Sequence, residues 1–397
     1  MNLQKLVSLV TAITLLVCSG TSSASPETES NSKQPLPLEE LRSFSEVFYY
    51  VKSTYVDEVD DKTLINAAIR GMVDSLDSHS RYLDPSAFAN FTADNEGEYA
   101  GIGLSFNDHD NGIQISSIVP TGPADRAELT IGMVVSRINN IDIKQISTED
   151  AYKLLYGKAN SQLKLTILDD SKTKESSTKD YLLTREIIQL PSISHELLPG
   201  NVGYLAISQF TKKSPVEFIQ AVNSMSSDGP LNKLIIDLRN NPGGVLESAI
   251  EISDLFIDSG ILLTSAGRTV DANEIFRASS IAPYLNFDVV VMMNENSASS
   301  SEILAAALQD HQKATILGDI SYGKGSIQSI IFLRRETGLK ITTAKYYSPK
   351  GNRIQDIGIK PDVMFKTAGL ENNQNSEVLN DLELLQAYQL LSKTSKK

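Results

Sequence analysis

Residues 231–244 read LNKLIIDLRNNPGG, an apolar run fit for a buried strand that stops abruptly at Asn-Pro-Gly-Gly. A strand with this ending can turn its backbone amides outward. Strand-like and helical stretches alternate around it: VGYLAISQF (202–210), SPVEFIQAVNSM (214–225), VLESAIEISDLFI (245–257) and FDVVVMMNE (287–295). The alternation predicts an α/β core with its chemistry at strand ends.

Elsewhere the period changes. From Leu38, LEELRSFSEVFYYVKSTYV and DDKTLINAAIRGMVDSLD repeat apolar residues three and four apart, which predicts helices, the second capped by Asp60 or Asp61. From Gly97, GIGLSF (101–106), GIQISSIV (112–119), MVVSRIN (133–139) and LKLTIL (163–168) read as short strands between turns. STEDAYKLLYG (147–157) reads as an amphipathic helix capped by Ser147 or Thr148. Residues 25–37 read as a disordered lead-in, 169–180 as a solvated hairpin or linker, and 367–397 as a polar tail with one helix. The 397 residues suit two or three domains. The expected fold is multidomain α/β: a helical region at 38–96, a β-rich domain with helices at 97–180, and an α/β core at 181–366.

Charge and termini exclude several functions. A formal charge of −13 argues against nucleic-acid binding, which needs a basic face. The N-terminus has Lys5, an apolar run Leu6–Val17, and a small-residue stretch ending Ser22-Ser23-Ala24. It reads as a signal peptide, residues 1–24, too short to be a stable membrane anchor. Cys18 raises lipid attachment, but Val17 stands where that site needs a small residue. Cleavage after Ala24 would remove the one cysteine, leaving neither disulfides nor cysteine catalysis. The four histidines (79, 109, 195, 311) are widely spaced, which predicts no metal site, and His79 reads as structural.

A nucleophile and a base stand near the end of the core. NENSASSSEILAAALQDHQKATILGDISYGKGSIQ (294–328) sets a serine-rich turn before a helix and a glycine-flanked lysine after a strand. Ser297, Ser299, Ser300 and Ser301 all qualify by composition, and taken alone the run is a helix cap. An exposed lysine has a pKa of about 10.4, whereas a buried one can supply a neutral amine. Gly-Lys-Gly-Ser lacks the earlier glycine of a phosphate-binding loop.

Together these segments resemble the carboxyl-terminal processing (tail-specific) proteases, serine–lysine peptidases of family S41, from roughly Leu38 to Val363. The Ser-Ala-Ser-x-Ser-Glu part of the family pattern falls on 297–302 and implies Ser299 as nucleophile. SYGKGSIQ is similar to Thr-Phe-Gly-Lys-Gly-x-x-Gln, implying Lys324 as base and Gln328 as the residue orienting it. The resemblance implies an oxyanion hole from the backbone of Gly243 or Gly244 with Ser300, a crotonase-like core and no cofactor. Asp237 and Arg239 read as a structural charge pair. LDSHSRYLDPSAF and ITTAKYYSPKGNRIQDIGIKPDV (341–363) extend the match, with Ser78 in place of a proline and Ser300 in place of an alanine.

The strands from Gly97, with GPADRAEL at 122–129, resemble a PDZ domain. Gly101-Ile102-Gly103-Leu104 then matches the loop whose amides hold a peptide C-terminal carboxylate, although Gly132-Met133 replaces the usual Gly-Asp. The implied partners are proteins with unstructured C-termini, together with a second copy or an adaptor protein. The implied activity is a serine endopeptidase, and the signal peptide makes it exported, to the periplasm or outside the cell. The competing expectations are a catalytically silent PDZ adaptor and a crotonase-like enzyme acting on thioesters.

Overall fold

The computed structural model describes residues 36–169, 177–227, 229–365 and 381–394. The expected signal peptide with Cys18, most of the lead-in, the tip of the 169–180 hairpin and the start of the tail lie outside them. The chain divides into two compact units, Met1–Asn66 and Ala67–Lys397. The first contains helix α1 (Leu38–Thr54), none of whose residues is buried. The next helix, α2 (Asp61–Asp74), starts where Asp60 Oδ1 accepts the Lys62 and Thr63 N–H groups at 2.9 and 3.1 Å. Of the two expected caps, Asp60 does the work. No helix among the described residues is long and apolar enough to cross a membrane.

In the second unit a short strand β1 (Arg81–Leu83) leads into α3 (Pro85–Glu96). Asp84 caps that helix, and Gly97 ends it with φ 69°, a left-handed value that glycine adopts readily. The β-rich domain follows: β2 (Glu98–Gly101), β3 (Leu104–His109), β4 (Gly112–Ile118), α4 (Pro123–Arg126), β5 (Val134–Ile138), β6 (Ile141–Asp142), α5 (Thr148–Leu155), β7 (Gln162–Asp169) and β8 (Ser177–Thr184). Its sheet runs β3-β4-β5-β7-β8, so β3 is an edge strand. Ser147 caps α5 by accepting the Asp150 N–H at 3.1 Å. Sequence alternation placed 101–106 in one strand, but Gly103 turns left-handed at φ 75° and divides it between β2 and β3. Strand β8 carries this sheet to Thr184, past the expected boundary at 180. The domain has its own core, including Ile102, Phe106, Ile113, Ile138, Leu163 and Leu165.

Strand β9 (Glu186–Gln189) pairs back with β2 and delivers the chain to the α/β core. The core comprises β10 (Ile193–Leu198), β11 (Val202–Ile207), α6 (Ser214–Met225), β12 (Lys233–Asp237), α7 (Leu246–Asp254), β13 (Ile261–Gly267), β14 (Ile275–Arg277), β15 (Asp288–Met293), α8 (Ser300–Asp310), β16 (Ala314–Gly318), β17 (Ser326–Phe332), β18 (Gly338–Tyr347), β19 (Val363–Met364) and α9 (Leu382–Thr394). Strands β11, β12, β15, β16 and β19 are parallel neighbours, with β10 antiparallel at one edge.

The apolar runs are buried on both faces, as a covered parallel sheet requires. Leu234 and Ile236 join the cluster that includes Phe218 of α6, Ile252 of α7 and Leu304 of α8. Ile235, one residue out of phase, joins Leu384, Ala387 and Leu391 of α9 on the other face. A second sheet sets β18 between β1 and β13, with β17 also pairing to β18.

Candidate active site

Three loops meet beyond the carboxyl ends of β12, β15 and β16, where open α/β sheets hold their ligands. They contribute Gly243, Gly244, Ser299 and Lys324 to the wall of a cleft of about 790 Å³, which Gln328 and Lys340 also line.

Burial separates the four serines. Ser297 is fully buried and donates to the Leu238 carbonyl at 2.8 Å. Ser300 donates to the Gly244 carbonyl at 3.1 Å and Ser301 to the Asn241 carbonyl at 3.0 Å, both with no exposure. Ser299 alone of the four lines the cleft. It precedes α8 with φ 54° and ψ −114°, a backbone state that costs a residue with a side chain roughly 1–3 kcal/mol.

What holds that turn is the Asn-Pro-Gly-Gly loop. Asn241, fully buried, donates to the Ile207 carbonyl at 2.7 Å, accepts the Gly243 N–H at 2.8 Å, and takes the Ala298 N–H on its own carbonyl at 3.0 Å. A Cβ on Gly243 would stand 2.7 Å from Ser299 Cβ and 2.8 Å from the Ala298 carbonyl oxygen. Only glycine allows that approach. The Gly243 N–H is therefore engaged by Asn241. Among the described residues the N–H groups of Gly244 and Ser300 meet no hydrogen-bond acceptor.

Two residues that sequence reasoning passed over join the serine loop to the lysine loop. Glu302, in the first turn of α8, has no exposure. Its Oε2 accepts the N–H groups of Ser299 and Lys324 at 2.8 and 2.9 Å, and its Oε1 accepts Ser321 Oγ and the Gly323 N–H at 2.6 and 2.7 Å. Burial raises its pKa on balance although the four donors pull it down, and donors alone around it still match an ionised carboxylate. The available signal was the Ser-x-x-Glu spacing of a capping box, 299 to 302. On the opposite side the buried Tyr346 hydroxyl reaches the carbonyls of both Ser299 and Lys324. Both residues are thus held at N–H by Glu302, while one Tyr346 hydroxyl is shared between their carbonyls.

Lys324 Nζ makes no hydrogen bond or ion pair with any described residue, Ser299 Oγ included. Burial lowers its pKa below the usual lysine range, and Lys340 adds to the shift while Glu302 opposes it. Lys340 is itself depressed by burial and by Arg81, and stands over the Phe91 ring at 5.5 Å. His79 also senses Lys324, second to its own burial, in a lowered pKa. Gln328 donates to Ser326 Oγ at 2.9 Å and Thr342 Oγ1 at 3.3 Å rather than to the lysine.

The expected carboxylate loop is a separate feature, outside the cleft wall. Gly101 ends β2, Ile102 is buried, and Leu104 opens β3. The Gly103 and Ile102 carbonyls accept the Val119 and Ala124 N–H groups at 2.8 and 2.9 Å, which fixes the loop. Asp237 and Arg239 form a structural pair, as expected, enlarged by Asp381 and Glu383 of the C-terminal segment, each 2.6 Å from the guanidinium.

Comparison with known proteins places these parts. Residues 201–365 match the family model described as Peptidase family S41, 90–168 match PDZ domain, and 13–87 match Activating protease CtpB N-terminal domain. The chain is 36% identical over 330 residues to a Carboxy-terminal-processing protease of Bartonella bacilliformis, covering 82% of this chain and 75% of that one. It is 32% identical over 329 residues to a Probable CtpA-like serine protease of Staphylococcus aureus, covering 82% of this chain and 65% of that one. The solved structure titled photosystem II D1 C-terminal processing protease superposes with a TM-score of 0.50 at 27% identity, over 88% of this chain and 90% of the other. The architecture is that of a peptidase with an N-terminal domain, a PDZ domain and an α/β protease core. This chain belongs to peptidase family S41, the carboxy-terminal-processing proteases.

Proposed function

We propose that the protein is an exported serine endopeptidase that takes protein C-termini on its PDZ domain and cuts peptide bonds with Ser299 and Lys324. The carrying observation is that Ser299 alone among four neighbouring serines lines the cleft, which it shares with a half-buried lysine that has no partner among the described residues. Its substrates are proteins of the bacterial envelope with unstructured tails, met in the periplasm.

The neutral Lys324 amine takes the Ser299 hydroxyl proton as Oγ bonds to the scissile carbonyl carbon. The oxyanion then accepts the free N–H groups of Gly244 and Ser300, donors worth about 2.7–4 kcal/mol each in such sites. Gly243, equally placed by sequence, has its N–H spent on Asn241 and shapes the turn instead. The charged lysine returns its proton to the leaving amine as the C–N bond breaks, leaving an ester on Ser299. Water attacks that ester, giving a proton to Lys324, and the proton passes back to Ser299 Oγ as the acid leaves. Gln328 orients the lysine in the aligned state, after giving up its bond to Thr342.

The absence of a Ser299–Lys324 hydrogen bond also favours a second reading, in which the protein binds tails without cutting them. Incubation of an unfolded protein bearing an apolar C-terminus with the mature chain, Ser299→Ala and Lys324→Ala separates the two. The endopeptidase gives fragments with the unchanged chain alone. Binding without fragments in all three makes the adaptor the right reading.

A further inference from the structure

The groove that a C-terminal tail would enter is already occupied by two phenols of the domain itself. Strand β3 is an edge strand, so its outward N–H and C=O groups are the ones an added peptide strand must pair with. At Phe106 both outward groups face the same side chain. Tyr152 of α5 donates its hydroxyl to the Phe106 carbonyl at 2.9 Å and lies 3.5 Å from the Phe106 N–H. Its ring stacks on the Phe106 ring, with centroids 3.9 Å apart and planes 20° from parallel. One tyrosine therefore spans the distance between α5 and β3, the two walls of the groove.

The carboxylate end is similarly filled. A Cβ at Gly101 would stand 2.4 and 2.7 Å from two ring carbons of Tyr99, so the ring lies flush on the loop. The Tyr99 ring thus covers the end of β2 that leads into Gly103, the amide expected to meet a terminal carboxylate. Tyr156 holds that ring edge-on, with centroids 5.2 Å apart. The glycine at 101 accordingly serves the tyrosine before it serves any ligand.

We propose that Tyr99 and Tyr152 are a built-in occupant of the PDZ groove: the Tyr152 phenol oxygen stands in for the strand of an incoming tail, the Tyr99 ring covers the carboxylate loop, and a tail binds only by displacing both. The inference rests on the PDZ domain being a tail-binding site, and adds that the site is self-capped at rest. A tail that pairs with Phe106 must break the Tyr152–Phe106 bond and unstack the rings. A folded C-terminus, unable to extend along β3, gains nothing to offset that cost. Selectivity for extended tails follows from the plug as well as from the pocket.

The test is fluorescence anisotropy with a fluorescein-labelled ten-residue peptide ending Ala-Leu-Val, as free acid and as C-terminal amide. The full chain carries Ser299→Ala throughout to prevent cleavage. Tyr152→Phe keeps the stack and removes the hydroxyl; Tyr99→Ala removes the ring from the carboxylate loop. Removing one hydrogen bond that competes with the ligand is worth roughly 3- to 10-fold in affinity. Tyr152→Phe is expected to bind the free acid that much more tightly, Tyr99→Ala to bind it more tightly as well, and both together more tightly still, with the amide remaining weak. Equal or weaker binding by both variants overturns the plug while the unsubstituted hydroxyls' binding of the acid leaves the PDZ reading standing. No binding of the acid by any form, or equal binding of acid and amide, overturns the tail-binding reading and the plug with it.

Discussion

Replacing Glu302 with glutamine tests whether one buried carboxylate holds the serine and lysine loops together. The carboxylate accepts four donors: two on Oε2, from Ser299 and Lys324, and two on Oε1, from Ser321 and Gly323. A glutamine keeps one accepting oxygen. Its less costly orientation leaves that oxygen toward Ser299 and Lys324 and points the amide nitrogen at Ser321 and Gly323. The Ser321 hydroxyl can turn round to accept, but the Gly323 N–H is stranded in a site with no exposure at Glu302. One buried unsatisfied donor and the loss of charge assistance cost about 2 kcal/mol. Urea denaturation of Glu302→Gln should show that loss with an unchanged m-value. A second readout separates positioning from plain stability. Glu302 holds the Lys324 pKa up against burial, so removing its charge lets that pKa fall further. Because the neutral amine is the base, the acidic limb of kcat/KM should move to lower pH in the variant while kcat drops. Unchanged stability together with an unmoved limb would mean that the carboxylate holds neither loop.

Three other substitutions have expected outcomes. Lys340→Met removes a positive charge that depresses Lys324, so the lysine pKa rises and the acidic limb of kcat/KM moves to higher pH. Gly244→Ala puts a Cβ 2.0 Å from the Phe210 carbonyl oxygen at φ 140°, and should abolish cleavage and cost at least ~3 kcal/mol in urea denaturation. Arg239→Ala leaves the buried Asp237 without its cation and cuts the tie to Asp381 and Glu383, costing roughly 2–4 kcal/mol by the same measurement. Arg239 also helps hold the Asp381 pKa below the usual carboxylate value, so the stability that pair gives is present above that value and lost as pH falls through the depressed one; the variant should lack this acid-side loss.

The core was legible because each strand and helix carries a period of its own. LIID reads as a buried strand whichever helix covers it, and Ser214–Met225 is the helix the apolar spacing gives. The serine and lysine segments were legible by family resemblance, yet composition left Ser297, Ser299, Ser300 and Ser301 equal. Only packing separates them, by burying three hydroxyls against backbone carbonyls. The choice between Gly243 and Gly244 turned on one side-chain acceptor, Asn241, whose direction no sequence pattern encodes. Tyr346 and Lys340 gave no local signal, since both read as ordinary members of an alternating strand. The partners of Arg239 at the start of α9, Asp381 just before it and Glu383 within it, lie 142 and 144 residues away, beyond any periodicity.

In the proposed mechanism Ser299 carries the acyl group during cleavage. Acid quenching of the mature chain during turnover of a peptide ester, then protease digestion and mass spectrometry, tests it most directly. The expected result is an acyl adduct on Ser299 that vanishes in Ser299→Ala and fails to form in Lys324→Ala. An adduct on Ser297, Ser300 or Ser301, or full turnover by Ser299→Ala, would contradict it.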